Sequence, residues 1–244
     1  MNTAQKSTIN AEEIDRFSKN SDQWWDEGGP FKPLHRLNPV RIQYLKNQIC
    51  DHFNIDQDKT LPFKGLDILD IGCGGGLVCE PMARLGAKIT GIDADQKAIT
   101  CAKNHAEAQN LDVEYRCGDA ADLKQKYDVV LALEIIEHVD NLGDFVALCK
   151  KLLKPEGLLV FSTLNRTAKS YALGIIAAEY ILRWVPAGTH NWKKFIKPSE
   201  IARYARTEKL EIKDISGLVF NPFKNEFFLS DNDLDVNYFI ALRS

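Results

Sequence analysis

No stretch of the sequence reads as an export signal or as a membrane span. Its first residues, MNTAQKSTINAEEIDRF, are polar and mixed in charge, without the apolar core of a secretory leader. The greasiest segment, YALGIIAAEYILRWV, is broken by Glu179 and Arg183 and is no clean membrane span. Surplus positive charge is also missing. The 31 Lys and Arg stand against 34 Asp and Glu, a net charge of −3, so no nucleic-acid partner is expected. None of the six cysteines (Cys50, Cys73, Cys79, Cys101, Cys117, Cys149) forms a C-x-x-C pair. They read as reduced, mostly buried thiols of a cytoplasmic protein rather than disulfides or metal ligands. Internal repeats and low-complexity tracts are absent too. What remains is an ordinary globular composition, 45% hydrophobic and 27% charged, and 244 residues can bury one large core.

Two patterns divide the chain. Residues 10–53 read as a helical preface, with a capping box at Asn10 and Glu13 and an apolar stripe through Ile14, Phe17, Trp24 and Trp25. GGPFKP forces a loop, and Asn38-Pro39 predicts the cap and first turn of a helix over PVRIQYLKNQICDHF. From Leu66 onward, short apolar runs alternate with amphipathic segments. LDILDIG, AKITGID, VEYRCG, YDVVLAL and GLLVFST read as strands; LVCEPMARLG, QKAITCAKNHAEAQN and LGDFVALCKKLLK read as the helices between them. That alternation predicts an α/β fold, a parallel sheet with right-handed crossovers and helices on both faces. After Lys197 a helix over PSEIARYARTEK precedes LEIKDISGLVF and DVNYFIALR, which predicts an antiparallel pair at the sheet edge.

The first βα turn, LDIGCGGGL, carries Gly72, Gly74 and Gly76 in G-x-G-x-G spacing. Glycine there lets the backbone turn tightly and brings a ligand close to the next helix. Asp93 ends the second strand 21 residues after Gly72, where an acid accepts bonds from ribose hydroxyls. A glycine turn alone is equally a structural turn; between strand and helix, with that acid following, it points to a nucleoside. A dinucleotide site would use G-x-G-x-x-G, and here the third glycine comes one residue early. Asp70, two residues before the first glycine, repels phosphates and suits an ammonium or sulfonium. Gly118-Asp119 closes the third strand, where Asp119 is placed either to meet an adenine amine or to make a turn. Together these features favour S-adenosylmethionine over NAD.

With DIGCGGG, GID and CGDA as its ligand-binding segments, the sequence resembles the class I methyltransferases, whose fold is a Rossmann-like doubly wound sheet with an antiparallel edge strand. It also resembles the narrower family of ubiquinone-biosynthesis O-methyltransferases. The segments that carry this are WWDEGGPFKPLHRLNPVRIQYL, EIIEHV, STLNRTAKS, AEYILRWVPAGTHNWKKFIKP and DVNYFIAL. The resemblance implies a helical lid over 1–60, a methyltransferase domain over 61–244, and methylation of polyprenylated catechol-type phenols. It also implies cofactor contacts at Arg41, Gly72, Asp93 and Leu133, beside the candidates Asp70, Gly74 and Asp119. An assembly with other enzymes of ubiquinone biosynthesis is a further expectation of the resemblance.

LALEIIEHV leaves the fourth strand at the edge where such sheets bind ligands. A phenol, with a pKa of about 10, is a poor nucleophile at neutral pH unless a base or a cation assists. Glu134, Glu137 and His138 are therefore candidate magnesium ligands, magnesium being associated with the resembled family. The alternative has Glu134 touching the cofactor while Glu137 and His138 cap the next helix. Glu134 and His138 are the candidate catalytic residues, His138 as general base where no metal binds.

Residues 165–197 form an insert that a methyltransferase core does not need. From 166 to 197 it carries Arg166, Lys169, Arg183, Lys193, Lys194 and Lys197 against Glu179, punctuated by Tyr171, Tyr180, Trp184 and Trp192. Either a core helix or an interfacial helix on anionic membrane would account for it. The interfacial reading is preferred, placing the enzyme peripherally on the inner, cytoplasmic face. Two rival functions stand beside the methyltransferase: an NAD-linked reductase on the same sheet, and a non-catalytic lipid-binding module.

Overall fold

The computed structural model describes residues 18–172 and 191–244. The expected capping box at Asn10, the apolar Ile14 and Phe17, and the part of the insert read as an interfacial helix over 173–190, with Glu179, Tyr180, Arg183 and Trp184, lie outside the described residues. Eight strands form one sheet: β1 (Asp67–Ile71), β2 (Lys88–Asp93), β3 (Glu114–Cys117), β4 (Tyr127–Leu133), β5 (Leu153–Leu164), β6 (Glu211–Asn221), β7 (Glu226–Ser230) and β8 (Asn237–Arg243). Their spatial order is β3-β2-β1-β4-β5-β8-β6-β7. The five strands read from the alternating pattern pair in parallel. β8 runs against both β5 and β6, and the expected antiparallel pairing of β6 with β8 is present. The structure adds β7, a short strand antiparallel to β6 that forms the outer edge.

Strand periodicity explains where the helices go. Ile68, Val129, Leu131, Val160, Phe239 and Ala241 point to one face, into a core shared with the Lys32–His52, Cys79–Arg84 and Gln96–Ala108 helices. Leu69, Val130, Ala132, Leu159, Phe161, Ile240 and Leu242 alternate with them and point to the other face. There they meet Phe145, Val146, Leu148 and Cys149 of the Leu142–Leu152 helix and Ile201 and Ala205 of the Pro198–Thr207 helix. Both faces are covered, as continuous apolar strands require.

The helix expected to open at Pro39 begins at Lys32 instead, and Pro39 lies inside it. Pro33 takes the early helical position that proline favours, where no amide donor is needed. Asn38 does not cap; its side-chain amide donates to Leu77 O at 2.8 Å. Burial drives this outcome. Leu37, Tyr44, Leu45, Ile49 and Cys50 are buried on one stripe, and that packing outweighs one missing backbone bond. Tyr44 stacks on Phe239 of β8 with centroids 4.4 Å apart and donates its hydroxyl to Asp214 Oδ2 at 2.8 Å.

Phe239→Ala should therefore uncouple the helix from the sheet. The expected loss is about 3–5 kcal/mol of unfolding free energy in urea titrations, typical of a large aromatic truncated in a core. A loss below about 1 kcal/mol would mean that the stack does not anchor the helix.

Candidate functional site

In sheet order β1 is flanked by β2 on one side and β4 on the other, so the chain switches direction between β1 and β4. Their carboxyl ends flank the crevice where open α/β sheets bind ligands. After Ile71 the backbone turns through Gly72, whose N–H donates to Ile92 O at 2.8 Å. Gly74 has φ +51°, and a Cβ there would sit 2.4 Å from the Trp24 ring. The turn needs glycine because an indole from the N-terminal segment is packed against it. Trp24 also stacks on Phe31 at 3.9 Å, while Trp25 stacks on His105 at 3.5 Å and donates Nε1 to Gly75 O at 2.9 Å.

Asp93, at the end of β2, braces this turn. Its Oδ2 accepts from Gly74 N at 2.9 Å and its Oδ1 from Asp95 N at 2.8 Å, and burial pushes its pKa up. Asp95 in turn caps the Gln96–Ala108 helix and accepts the Ser21 hydroxyl. Asp119 caps a short 3-10 turn after β3, accepting from Ala121 N at 2.9 Å.

Arg41 comes from the middle of the Lys32–His52 helix and is 5% exposed. Its acidic neighbours are Glu134 and Asp70; burial lowers its pKa and those two carboxylates oppose the shift. Among the described residues, its Nε and Nη2 have no hydrogen-bond partner. A buried guanidinium with unspent donors is costly unless an anion completes it. Asp70 is buried as well, which pushes its pKa up to about 7 against the Cys79 thiol, 3.3 Å from Oδ2, and the Arg41 charge.

Leu133 ends β4, buried and paired in register with Ser162 of β5. Glu134 follows with φ +55°, a conformation few non-glycine residues adopt. Its amide donates to Ser162 O at 3.0 Å. Its carboxylate accepts the Ser162 hydroxyl on Oε1 at 2.7 Å and the Asn237 amide at 3.4 and 3.3 Å. Glu137 is buried and accepts the Thr163 hydroxyl at 2.8 Å. His138 closes the same turn, its amide donating to Ile135 O at 2.9 Å. The next helix is capped by Asn141, not by Glu137 or His138.

Among the described residues, no three His, Cys, Asp or Glu side chains gather as a group able to hold a metal ion. Glu134, Glu137 and His138 are close in sequence, but the two carboxylates are engaged by the hydroxyls of Ser162 and Thr163 at the end of β5. Carboxylates are the ligand type magnesium takes, and one accepted hydroxyl bond leaves each of them further oxygen lone pairs.

The Ser162, Thr163 and Asn237 partners were not predicted as site residues. Their signal lies in hydroxyls ending the apolar run GLLVFST and in the polar Asn237 opening YFIALR.

Residues 69–161 match the family described as methyltransferase domain. The ubiquinone biosynthesis O-methyltransferase of Bartonella bacilliformis is 46% identical over 241 residues, which cover 98% of this chain and 97% of that one. That of Roseobacter denitrificans is 48% identical with the same coverage. The chain belongs to the ubiquinone biosynthesis O-methyltransferases. Its fold is shared with the magnesium protoporphyrin IX methyltransferase of Synechocystis PCC 6803 bound to S-adenosylhomocysteine, at 17% identity and a TM-score of 0.67 over 94% of this chain and 97% of that one. The plantazolicin methyltransferase BpumL, also solved with S-adenosylhomocysteine, has 19% identity and a TM-score of 0.64, over 96% of this chain and 98% of that one. The protein is an S-adenosylmethionine-dependent O-methyltransferase.

In this methyltransferase Asp70 makes stability pH-dependent. Its folded pKa of about 7 lies above the usual 3.8, so the ligand-free native state holds a proton that the unfolded chain has lost. The contribution is full at about pH 4 and below and is lost as pH rises through about 7. Asp70→Asn, which keeps the uncharged shape, should flatten that fall in urea-denaturation curves at about pH 5 and about pH 8. Equal pH dependence in variant and parent would remove the proton from Asp70.

Proposed function

We propose that this enzyme methylates a phenolic hydroxyl of polyprenylated catechol-type intermediates in ubiquinone biosynthesis, working at an anionic membrane surface. The names of relatives matched over nearly their whole length support the substrate class. The observation that carries the site is Arg41, a buried guanidinium with two unspent donor atoms beside Asp70 and Glu134.

Arg41 is assigned to the carboxylate of S-adenosylmethionine, and Asp70 to its cationic portion. Asp93 is assigned to the ribose hydroxyls, Asp119 to the adenine side, and Gly72, Gly74 and Leu133 to the walls. When bound, S-adenosylmethionine supplies a methyl group already activated on a sulfonium. The chain must then hold a phenol oxygen in line, exclude water and remove one proton. Glu134 suits the role of proton acceptor. Ser162 fixes its Oε1, leaving Oε2, which has only the long Asn237 bond, to take the proton. His138, in the same turn, is the second candidate acceptor.

A polyprenyl tail resists leaving the bilayer at about 0.8 kcal/mol per CH₂, so the enzyme goes to its substrate. No helix among the described residues is long and apolar enough to cross a membrane. Of the insert's cations, Arg166 is spent on both oxygens of Glu200 at 2.6 and 2.7 Å, and Lys169 on Asp233 at 2.7 Å. Lys193, Lys194 and Lys197 are exposed, and they are the residues assigned to anionic lipid on the cytoplasmic face.

Asp93→Ala should weaken S-adenosylhomocysteine binding by about 1.5–3 kcal/mol in isothermal titration, through lost charge-assisted bonds and a loosened glycine turn. Unchanged affinity in a folded variant would move the ribose site elsewhere. Glu134→Gln should cut turnover of a soluble catechol by roughly 100-fold or more while leaving that affinity intact. If EDTA abolishes turnover and magnesium restores it, the β4 turn rearranges to take a cation and Glu134 is no metal-free base. Replacing Lys193, Lys194 and Lys197 with glutamate should abolish flotation on anionic vesicles yet spare methylation of the soluble catechol. Flotation like the parent's would exclude the basic cluster as the lipid contact.

A further inference from the structure

Phe223 is 98% exposed, far more than any other large apolar side chain among the described residues. It sits in the turn between β6 and β7, within a run of nine residues (220–228) that holds four of the chain's 12 phenylalanines. The turn is braced. Asn221 Oδ1 accepts from Phe223 N at 3.0 Å and from Lys224 N at 3.2 Å, and Asn225 Oδ1 accepts from Arg36 Nη1 at 2.8 Å. Below it Phe220 packs on Phe227 with centroids 5.0 Å apart. The structure thus holds a phenylalanine out into solvent on a fixed support.

Strand register places that support relative to the site. β5 and β6 both run against β8, so they point the same way. Leu164 at the end of β5 and Leu218 of β6 both pair with Asn237, so they lie at one level. β6 continues three residues further, to Asn221, which raises the turn about 10 Å beyond the end of β5 at roughly 3.3 Å per residue. Leu133 ends β4 opposite Ser162, two residues lower again. The hairpin therefore overhangs the same edge where the crevice opens and where the 165–197 insert leaves the sheet. Tyr171, 48% exposed and packed edge-on against Trp192, stands at the start of that insert.

We propose that the β6–β7 turn is a second membrane contact, with Phe223 entering the interfacial layer of the bilayer beside the mouth of the site. This rests on the membrane reading given above and adds a contact of different chemistry. Lys224 lies 3.7 Å from Glu226, so the tip carries little net charge and its contribution is apolar. The lysines of the insert supply the electrostatic part. A narrow convex tip suits a soft interfacial layer, which closes around one ring. A stable protein partner needs about 800 Å² from each side, far more than one tip provides. The insert follows β5 and the tip follows β6, two strand positions apart, so both stand on the β5 side of the β1–β4 crevice and offer the lipid two contacts on that one side.

The full-length protein is tested on vesicles of phosphatidylglycerol and phosphatidylcholine. Phe223→Ser should weaken vesicle binding by roughly tenfold or more. Its melting temperature, its S-adenosylhomocysteine affinity and its methylation of a soluble catechol should match the parent. In Phe223→Trp, vesicles should shift the added emission to the blue, and lipids brominated on their chains should quench it. Parental binding by Phe223→Ser, or no blue shift with Phe223→Trp, overturns the proposal. So does a change in the lipid-free elution volume of Phe223→Ser, which would make the tip an interface between copies. If the parent itself fails to bind vesicles, the membrane reading falls first and this contact falls with it.

Discussion

A guanidinium keeps its charge at any pH the cell meets, and Arg41 keeps that charge inside the protein. Much of the architecture near the strand ends follows from that constraint. The Lys32–His52 helix lies against β7 and β5 and stacks Tyr44 on Phe239 of β8, and Leu45 and Ile49, both fully buried, help fix it there. Asp70 and Glu134 then offset the charge from the ends of β1 and β4. Burial raises the Asp70 pKa to about 7, so near neutral pH part of that compensation is a proton's choice. The ligand-free pocket is an incomplete electrostatic arrangement, and an anionic group with cations close behind it would complete it.

The left-handed turn at Glu134 belongs to the same arrangement. A positive φ at a glutamate costs energy that surrounding contacts must supply. Here the supply is visible: an amide bond to Ser162 O, a hydroxyl on Oε1, and an amide from β8. The turn also lays Ile135 over Gly72, where a Cβ would come within 2.9 Å of its side chain. One backbone conformation thus sets the Glu134 carboxylate against Ser162 and Asn237 and shapes the glycine turn beside it.

The parallel half of the sheet was legible in the sequence because local signals agree there: short continuous apolar runs between amphipathic segments, glycine at a positive-φ turn, and an acid at or next to the end of β1 and of β2. Pro39 misled because proline after asparagine is a good helix start, and only tertiary packing shows that Pro33 serves instead. β7 was missed because EFFLS is five residues long and its two adjacent phenylalanines face opposite sides of an edge strand. The clamp around Glu134 could not be read locally, since Ser162 is 28 residues away and Asn237 is 103. Sequence proximity likewise says nothing of the Ser162 and Thr163 hydroxyls that bond the Glu134 and Glu137 carboxylates.

β8 is synthesised last of the eight strands yet lies inside the sheet, hydrogen-bonded to β5 on one side and β6 on the other. During translation β5 and β6 have no direct partner in each other, and each waits with an unpaired edge until Asn237–Arg243 leaves the ribosome. The same strand delivers Asn237 to Glu134 and Phe239 to Tyr44. Joining of the two halves of the sheet, the Tyr44 stack of the helix that carries Arg41 and the Asn237 bond to Glu134 therefore all wait on β8. A nascent chain stopped short of β8 exposes two strand edges beside an unfinished site, which makes it a substrate for chaperones or proteases rather than a partly active enzyme.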